Sequence, residues 1–155
     1  MLNTLSNADR KLRIGKIGED IVSSHFKYAQ QTEDWFDSEK DGTVDSIKYE
    51  VKTMVKNQKY NGFWIEQKQF HKVDHSDALF FVQIPSEEDD PALLLLMTNH
   101  RDPANYEEFV HKGVKKRNYL FTKCMKLDII SDSRATELHE LSAPLRTYKP
   151  RRPIW

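Results

Sequence analysis

The 155-residue chain predicts a mixed α/β fold, with a sheet flanked by helices, on three observations. Apolar residues recur at near-helical spacing from about Ser6 to Tyr28. Ile47, Tyr49 and Val51 alternate strictly with Lys48, Glu50 and Lys52, the period of a half-buried strand. The predominantly apolar segments Ala78–Ile84 and Ala92–Thr98 predict buried strands.

In the first helix Leu12, Ile14, Ile17, Ile21, Val22 and Phe26 form the expected buried stripe, and Ser6, Asn7 or Asp9 caps its start. Gly15 and Gly18 interrupt it at up to about 1 kcal/mol each relative to alanine, a cost that points to close packing on the sheet. The acidic segment Glu33–Glu39 is expected to enter the sheet as a strand that buries Trp35 or Phe36. Gly42–Val44 and Ile47–Thr53 then predict a hairpin turning at Asp45–Ser46.

Register decides what this hairpin presents. With a two-residue loop, Val44 opposes Ile47, Thr43 opposes Lys48, Gly42 opposes Tyr49 and Asp41 opposes Glu50. A shift of two places Asp41 opposite Lys52 instead and keeps all three on one polar face. A one-step slip sends Asp41 to the apolar face, against the pattern. Opposed carboxylates cost about 0.2–1 kcal/mol, which Lys52 alone or a divalent cation between them offsets. Mg²⁺ takes oxygen ligands and is commonly held by carboxylates together with substrate phosphate. Asp37, Glu39 and Asp45 compete with Asp41 for this role, and the turn position of Asp45 counts against it.

Further on, Met54–Asn61 is a basic, polar segment that reads equally as a solvated connection or, through Lys56 and Lys59, as a contact to a nucleic-acid backbone, and Gly62–Gln67 is an aromatic-rich strand. His71, Asp74 and His75 offer a transition-metal cluster or, more simply, a polar helix end. A short helix is expected around Pro103, with Tyr106, Phe109 and Val110 on its apolar side. Lys112–Asn118 reads as a basic loop with Lys115, Lys116 and Arg117 as phosphate contacts. Tyr119–Phe121 and Met125–Ile130 read as strands, and Asp132–Leu141 as a short helix. The proline-rich basic tail 142–155 carries Arg151 and Arg152 as a DNA-binding arm or a strap on a partner subunit.

Length predicts one domain, 1–155. The formal charge is zero, yet acids gather at 33–41 and 87–90 and bases at 10–16, 48–59, 112–126 and 146–152. Such zoning suits an acidic metal pocket with phosphate-binding flanks. A mean hydropathy of −0.74 and short apolar runs argue against a membrane span. Without a secretory signal pattern, and with Cys124 as sole cysteine, the expected place is a prokaryotic or phage-infected cytoplasm.

Asp41 followed by Glu50-Val51-Lys52 resembles the Asp…(Asp/Glu)-X-Lys signature of the PD-(D/E)XK nuclease superfamily, over roughly Ile14–Ile84. Lys40 stands where that signature usually has proline. The resemblance implies a restriction-endonuclease-like αβββαβ core and metal-dependent hydrolysis of nucleic-acid phosphodiesters. Under it, Asp41, Glu50 and the Val51 carbonyl hold Mg²⁺ or Mn²⁺, Glu19 reaches the metal through water, and Lys52 handles the attacking water and the charge on the phosphate. Glu66 or Gln67 would lie near the metal. DNA, duplex or branched, is the expected substrate, and cutting two strands favours a homodimer. The rivals are a catalytically inactive nucleic-acid-binding module of this fold and an interaction or inhibitor protein with a purely structural hairpin.

Overall fold

The computed structural model describes residues 5–26, 30–31, 42–44, 46–55 and 61–146. Its order is α1 (Asn7–His25), β1 (Gln30–Gln31), β2 (Gly42–Val44), β3 (Ile47–Val55), β4 (Gly62–Glu66), α2 (Phe70–Asp74), β5 (Ala78–Ile84), β6 (Ala92–Met97), β7 (Tyr106–His111), β8 (Val114–Leu120), β9 (Met125–Ile130) and α3 (Ser133–Arg146). Six strands make the main sheet in the order β1-β2-β3-β5-β6-β9, and β4-β8-β7 make a smaller one. Among the described residues only the β3–β5 pair of this sheet is parallel, so the main sheet is mixed.

The two faces of the main sheet build two cores. Tyr49, Val51, Phe80, Val82 and Leu94 pack under α1 and α3 with Ile14, Ile21, Val22, Leu138 and Leu141. Leu79, Phe81, Leu95 and Met97 on the other face meet Phe63, Ile65 and Tyr119 of the small sheet and Val73 of α2. β5 is buried along its whole length because both of its faces are covered.

Helix α1 starts where expected: the Ser6 hydroxyl accepts from the Asp9 backbone N–H at 3.1 Å. Gly18 lies directly against the Thr53 side chain, where a Cβ would overlap it, so the predicted close approach is real there. At Gly15 a Cβ would meet open space. Leu12 is 54% exposed and leaves the predicted stripe. It lies two positions from Ile14, about 200° around the helix axis. The stripe instead takes in Arg10, buried, with Nη1 donating to the Leu141 carbonyl of α3 at 3.4 Å.

The helix expected near Pro103 is a single 3₁₀ turn, Pro103–Asn105, capped by Asp102. The chain then extends as β7, because Tyr106, Phe109 and Val110 favour a pleated surface and β8 supplies a partner. The expected basic loop 112–118 is accordingly a tight turn at Lys112–Gly113 followed by β8. Helix α3 runs on to Arg146, with Pro144 in its last turns. The expected strand over 33–39 and the tail beyond 146 lie outside the described residues.

His100 is fully buried behind α2. Its Nε2 is 3.1 Å from the carbonyl oxygens of Val73 and of Ser76, so that nitrogen carries the proton and donates. Burial, and then the Arg101 charge, hold its pKa below the ordinary imidazole value. The unfolded chain therefore binds a proton at about pH 6.5 that the folded chain refuses, and stability drains away as pH falls below that point. Urea unfolding at pH 7.5 and pH 5.5 is expected to show a loss at the lower pH that is smaller in His100→Gln.

Candidate metal-carboxylate site

The β2–β3 hairpin has the two-residue-loop register: Gly42 opposes Tyr49, Thr43 opposes Lys48 and Val44 opposes Ile47. Ser46 in the turn sits at φ 68°, the left-handed region that turn residues tolerate. Asp41 and Asp45 lie outside the described residues, as do Asp37, Glu39, Lys56, Lys59, Arg151 and Arg152.

Glu50 and Lys52 share a face of β3, in register with Leu79 and Phe81 of β5. That face is largely covered by α2 and the small sheet, and Lys52 at its margin keeps 20% of its side-chain surface exposed. Glu50 is 1% exposed. Its carboxylate lies 2.9 Å from the Lys52 ammonium and 3.6 Å from that of Lys72 on α2. A carboxylate this deep is retained only where cations compensate it. Lys52 Nζ also donates to Gln69 Oε1 at 2.6 Å.

The β3 backbone adds an oxygen. Lys48 N donates to Asp77 Oδ2 at 3.0 Å and the Lys48 carbonyl accepts from Asp77 N at 2.8 Å, so residue 48 faces β5. Successive strand residues turn their peptide groups to opposite neighbours. The Val51 carbonyl therefore points to the β2 side, just past Gly42 opposite Tyr49. Glu50 Oε atoms and the Val51 carbonyl are hard oxygen donors of the kind Mg²⁺ and Mn²⁺ take.

Glu19 belongs to α1, which packs on the Tyr49–Val51–Thr53 face, opposite the one that carries Glu50. Glu66 ends β4 across from Lys116, and its carboxylate pairs with Lys68 at 3.7 Å. Gln67 is exposed. The amide that reaches Lys52 is Gln69, which, with Lys72, sequence reasoning passed over. Their signal was the three-residue spacing, which puts both on one side of a helical turn. The His71 and His75 rings lie 4.0 Å apart between centroids, tilted by 38°, while Asp74 turns away to Arg117. Among the described residues no cluster of three or more His, Cys, Asp or Glu is placed to hold a metal.

Lys115 is exposed and Lys116 half-buried, its ammonium 5.4 Å from the Trp64 ring centroid. Arg117, the third expected phosphate contact, is a correction: it is 8% exposed and turned inward. Its guanidinium pairs with Asp74 at 2.7 Å, donates to the Tyr119 hydroxyl at 3.0 Å and lies over the Phe70 and Tyr106 rings. Alternation along β8 puts it on the face opposite Lys116. Burial pushes the Tyr119 hydroxyl up to about 12, so it stays protonated at neutral pH. Arg117→Ala is expected to cost about 2 kcal/mol in denaturant unfolding, through the lost packing of the guanidinium over Phe70 and Tyr106 and the lost bond to the Tyr119 hydroxyl, since the Asp74 side chain is 36% exposed and remains hydrated.

No family model, curated protein or solved structure matches the chain. No helix among the described residues is long and apolar enough to cross a membrane.

Proposed function

We propose that the chain is a metal-dependent endonuclease of the PD-(D/E)XK type that hydrolyses DNA phosphodiester bonds, working as a homodimer in a prokaryotic or phage-infected cytoplasm. The observation that carries the reading is the Glu50 carboxylate, 1% exposed and clamped between two ammonium groups on a strand whose next carbonyl points to the β2 side. The order α1-β1-β2-β3-α2-β5, with β4 inserted, adds support for the αβββαβ core.

The donor set fits a hard cation: Glu50, the Val51 carbonyl and Asp41 would hold Mg²⁺ or Mn²⁺. Such an ion polarises the phosphodiester and makes its bound water a stronger nucleophile. Lys52 places positive charge where negative charge develops on the phosphate. Gln69 fixes the direction of that ammonium. Glu19 lies on the helix that covers the opposite face of β3 from Glu50, so Glu19→Ala is expected to be the mildest site substitution.

A catalytically inactive DNA-binding module is the second reading, favoured by the ion pairs that Lys52 and Lys72 make with Glu50. Plasmid nicking with Mg²⁺ separates the two. Wild type should cut, and Lys52→Ala and Asp41→Ala should bind DNA without cutting. Cleavage by Asp41→Ala at the wild-type rate would sink the assignment.

A further inference from the structure

The β7–β8 hairpin outruns the small sheet. Pairing of β4 with β8 stops at Glu66 opposite Lys116, whereas β7 and β8 continue through Val110–Lys115 to His111–Val114. At the apex Lys112 and Gly113 have φ 54° and 79°. Positive φ at both central residues makes the tight turn whose twist matches paired strands, so the tip is a stiff projection.

Its surface is unusual for a solvated hairpin. Val110 is 68% and Val114 40% exposed. They occupy successive opposed pairs and so point to opposite faces. From Phe109 to Asn118 the chain holds Lys112, Lys115 and Lys116 and no acid, while Arg117 turns inward. Of the acids of this sheet, Glu107 and Glu108 lie opposite Asn118 and Arg117, below the projecting tip, and Glu66 ends β4 opposite Lys116 where the projection begins, its carboxylate paired with Lys68. The tip is thus a two-sided blade with a valine on each side and lysines around its apex.

The apex also sits at the working end. β4 runs toward it and passes into Gln67–Gln69, where Gln69 holds Lys52. Lysines suit phosphates, and apolar side chains on a stiff projection suit an opened base step, where apolar wedges insert and kink the duplex.

We infer that the β7–β8 hairpin is a DNA-contacting wedge: Lys112 and Lys115 hold the backbone, and Val110 and Val114 enter a distorted or branched step beside the Glu50 site. The protein therefore prefers branched DNA to straight duplex. This rests on DNA being the substrate, as proposed above.

The test is equilibrium binding of the full chain in EDTA, read by anisotropy, to a labelled linear duplex and a labelled four-way junction. Wild type should favour the junction. Lys112→Ala/Lys115→Ala should weaken binding to both by about tenfold and lower the salt slope by about 2, the share of two phosphate contacts. Val110→Ser/Val114→Ser should remove the junction preference and leave duplex affinity within about twofold. Lys123→Ala, exposed on a neighbouring turn, is the control. Lysine variants that bind like wild type, a junction preference that survives the valine change, or tip-dependent binding to anionic vesicles in place of DNA overturns the wedge. DNA bound through the tip but never cut with Mg²⁺ overturns the nuclease reading alone.

Discussion

Glu50→Gln is expected to lower magnesium-dependent cleavage by about 10³-fold and to remove any rise in Tm on adding Mg²⁺ or Mn²⁺. Glutamine keeps the volume and one carbonyl oxygen but loses the charge, so a hard cation gives up its main buried ligand. Two ammonium groups are left facing a neutral amide. Stranding a wholly buried charge costs about 3–5 kcal/mol, but Lys52 and Lys72 keep 20% and 19% of their side-chain surface exposed and can turn toward water. The stability loss without metal should therefore stay below that range. Plasmid nicking and thermal melting with and without metal measure both effects. A variant that still gains Tm with metal removes Glu50 from the ligand set.

Gly62→Ala is expected to be the most damaging small substitution for stability. Its Cβ would strike the Tyr119 backbone carbonyl, with the carbonyl carbon 2.7 Å away, and the Asn118 side-chain oxygen. Neither partner is free to retreat. Phe121 N donates to the Asn61 carbonyl at 2.9 Å, and Asn118 Nδ2 donates to Asn61 Oδ1 at 2.6 Å, pinning β4 to β8 on both sides of the contact. Overpacking against fixed backbone should cost about 3 kcal/mol, or roughly 10 °C in Tm for a domain of this size. Urea unfolding checks it; a loss within 0.5 kcal/mol would show that the strands can part more easily than these bonds suggest.

Periodicity made much of the fold legible. Helix α1, the β2–β3 hairpin with its polar and apolar faces, and the strands β5 and β6 follow from patterns within short windows, whereas the choice between the two hairpin registers needed the structure. What lay beyond those windows was the second sheet. Tyr106, Phe109 and Val110 suit one side of a helix or a strand equally well, and β8, which decides for strand, partners β4 from far along the chain. The same gap hid the fate of Arg117, which reads as one basic residue among several until β8 alternation turns it inward. In the site, the shared face of Glu50 and Lys52 was legible from alternation alone. Its burial was not, because that depends on α2 and the small sheet arriving from elsewhere. For that reason Gln69 and Lys72 carry no local mark of their role beyond their three-residue spacing, and the distance of Glu19 from Glu50 depends on which face α1 covers, which periodicity does not give.

The way the small sheet is assembled bears on how the chain reaches its native state. Glu66 finds Lys116 only after β5 and β6 have been made between them, and β9 returns to the main sheet only after β7 and β8 have left it. Neither excursion can be completed alone, so sheet closure waits on contacts between distant parts of the chain, a topology that folds slowly. Until that closure Glu50 has no roof, and the charged centre of the site would be among the last features to form.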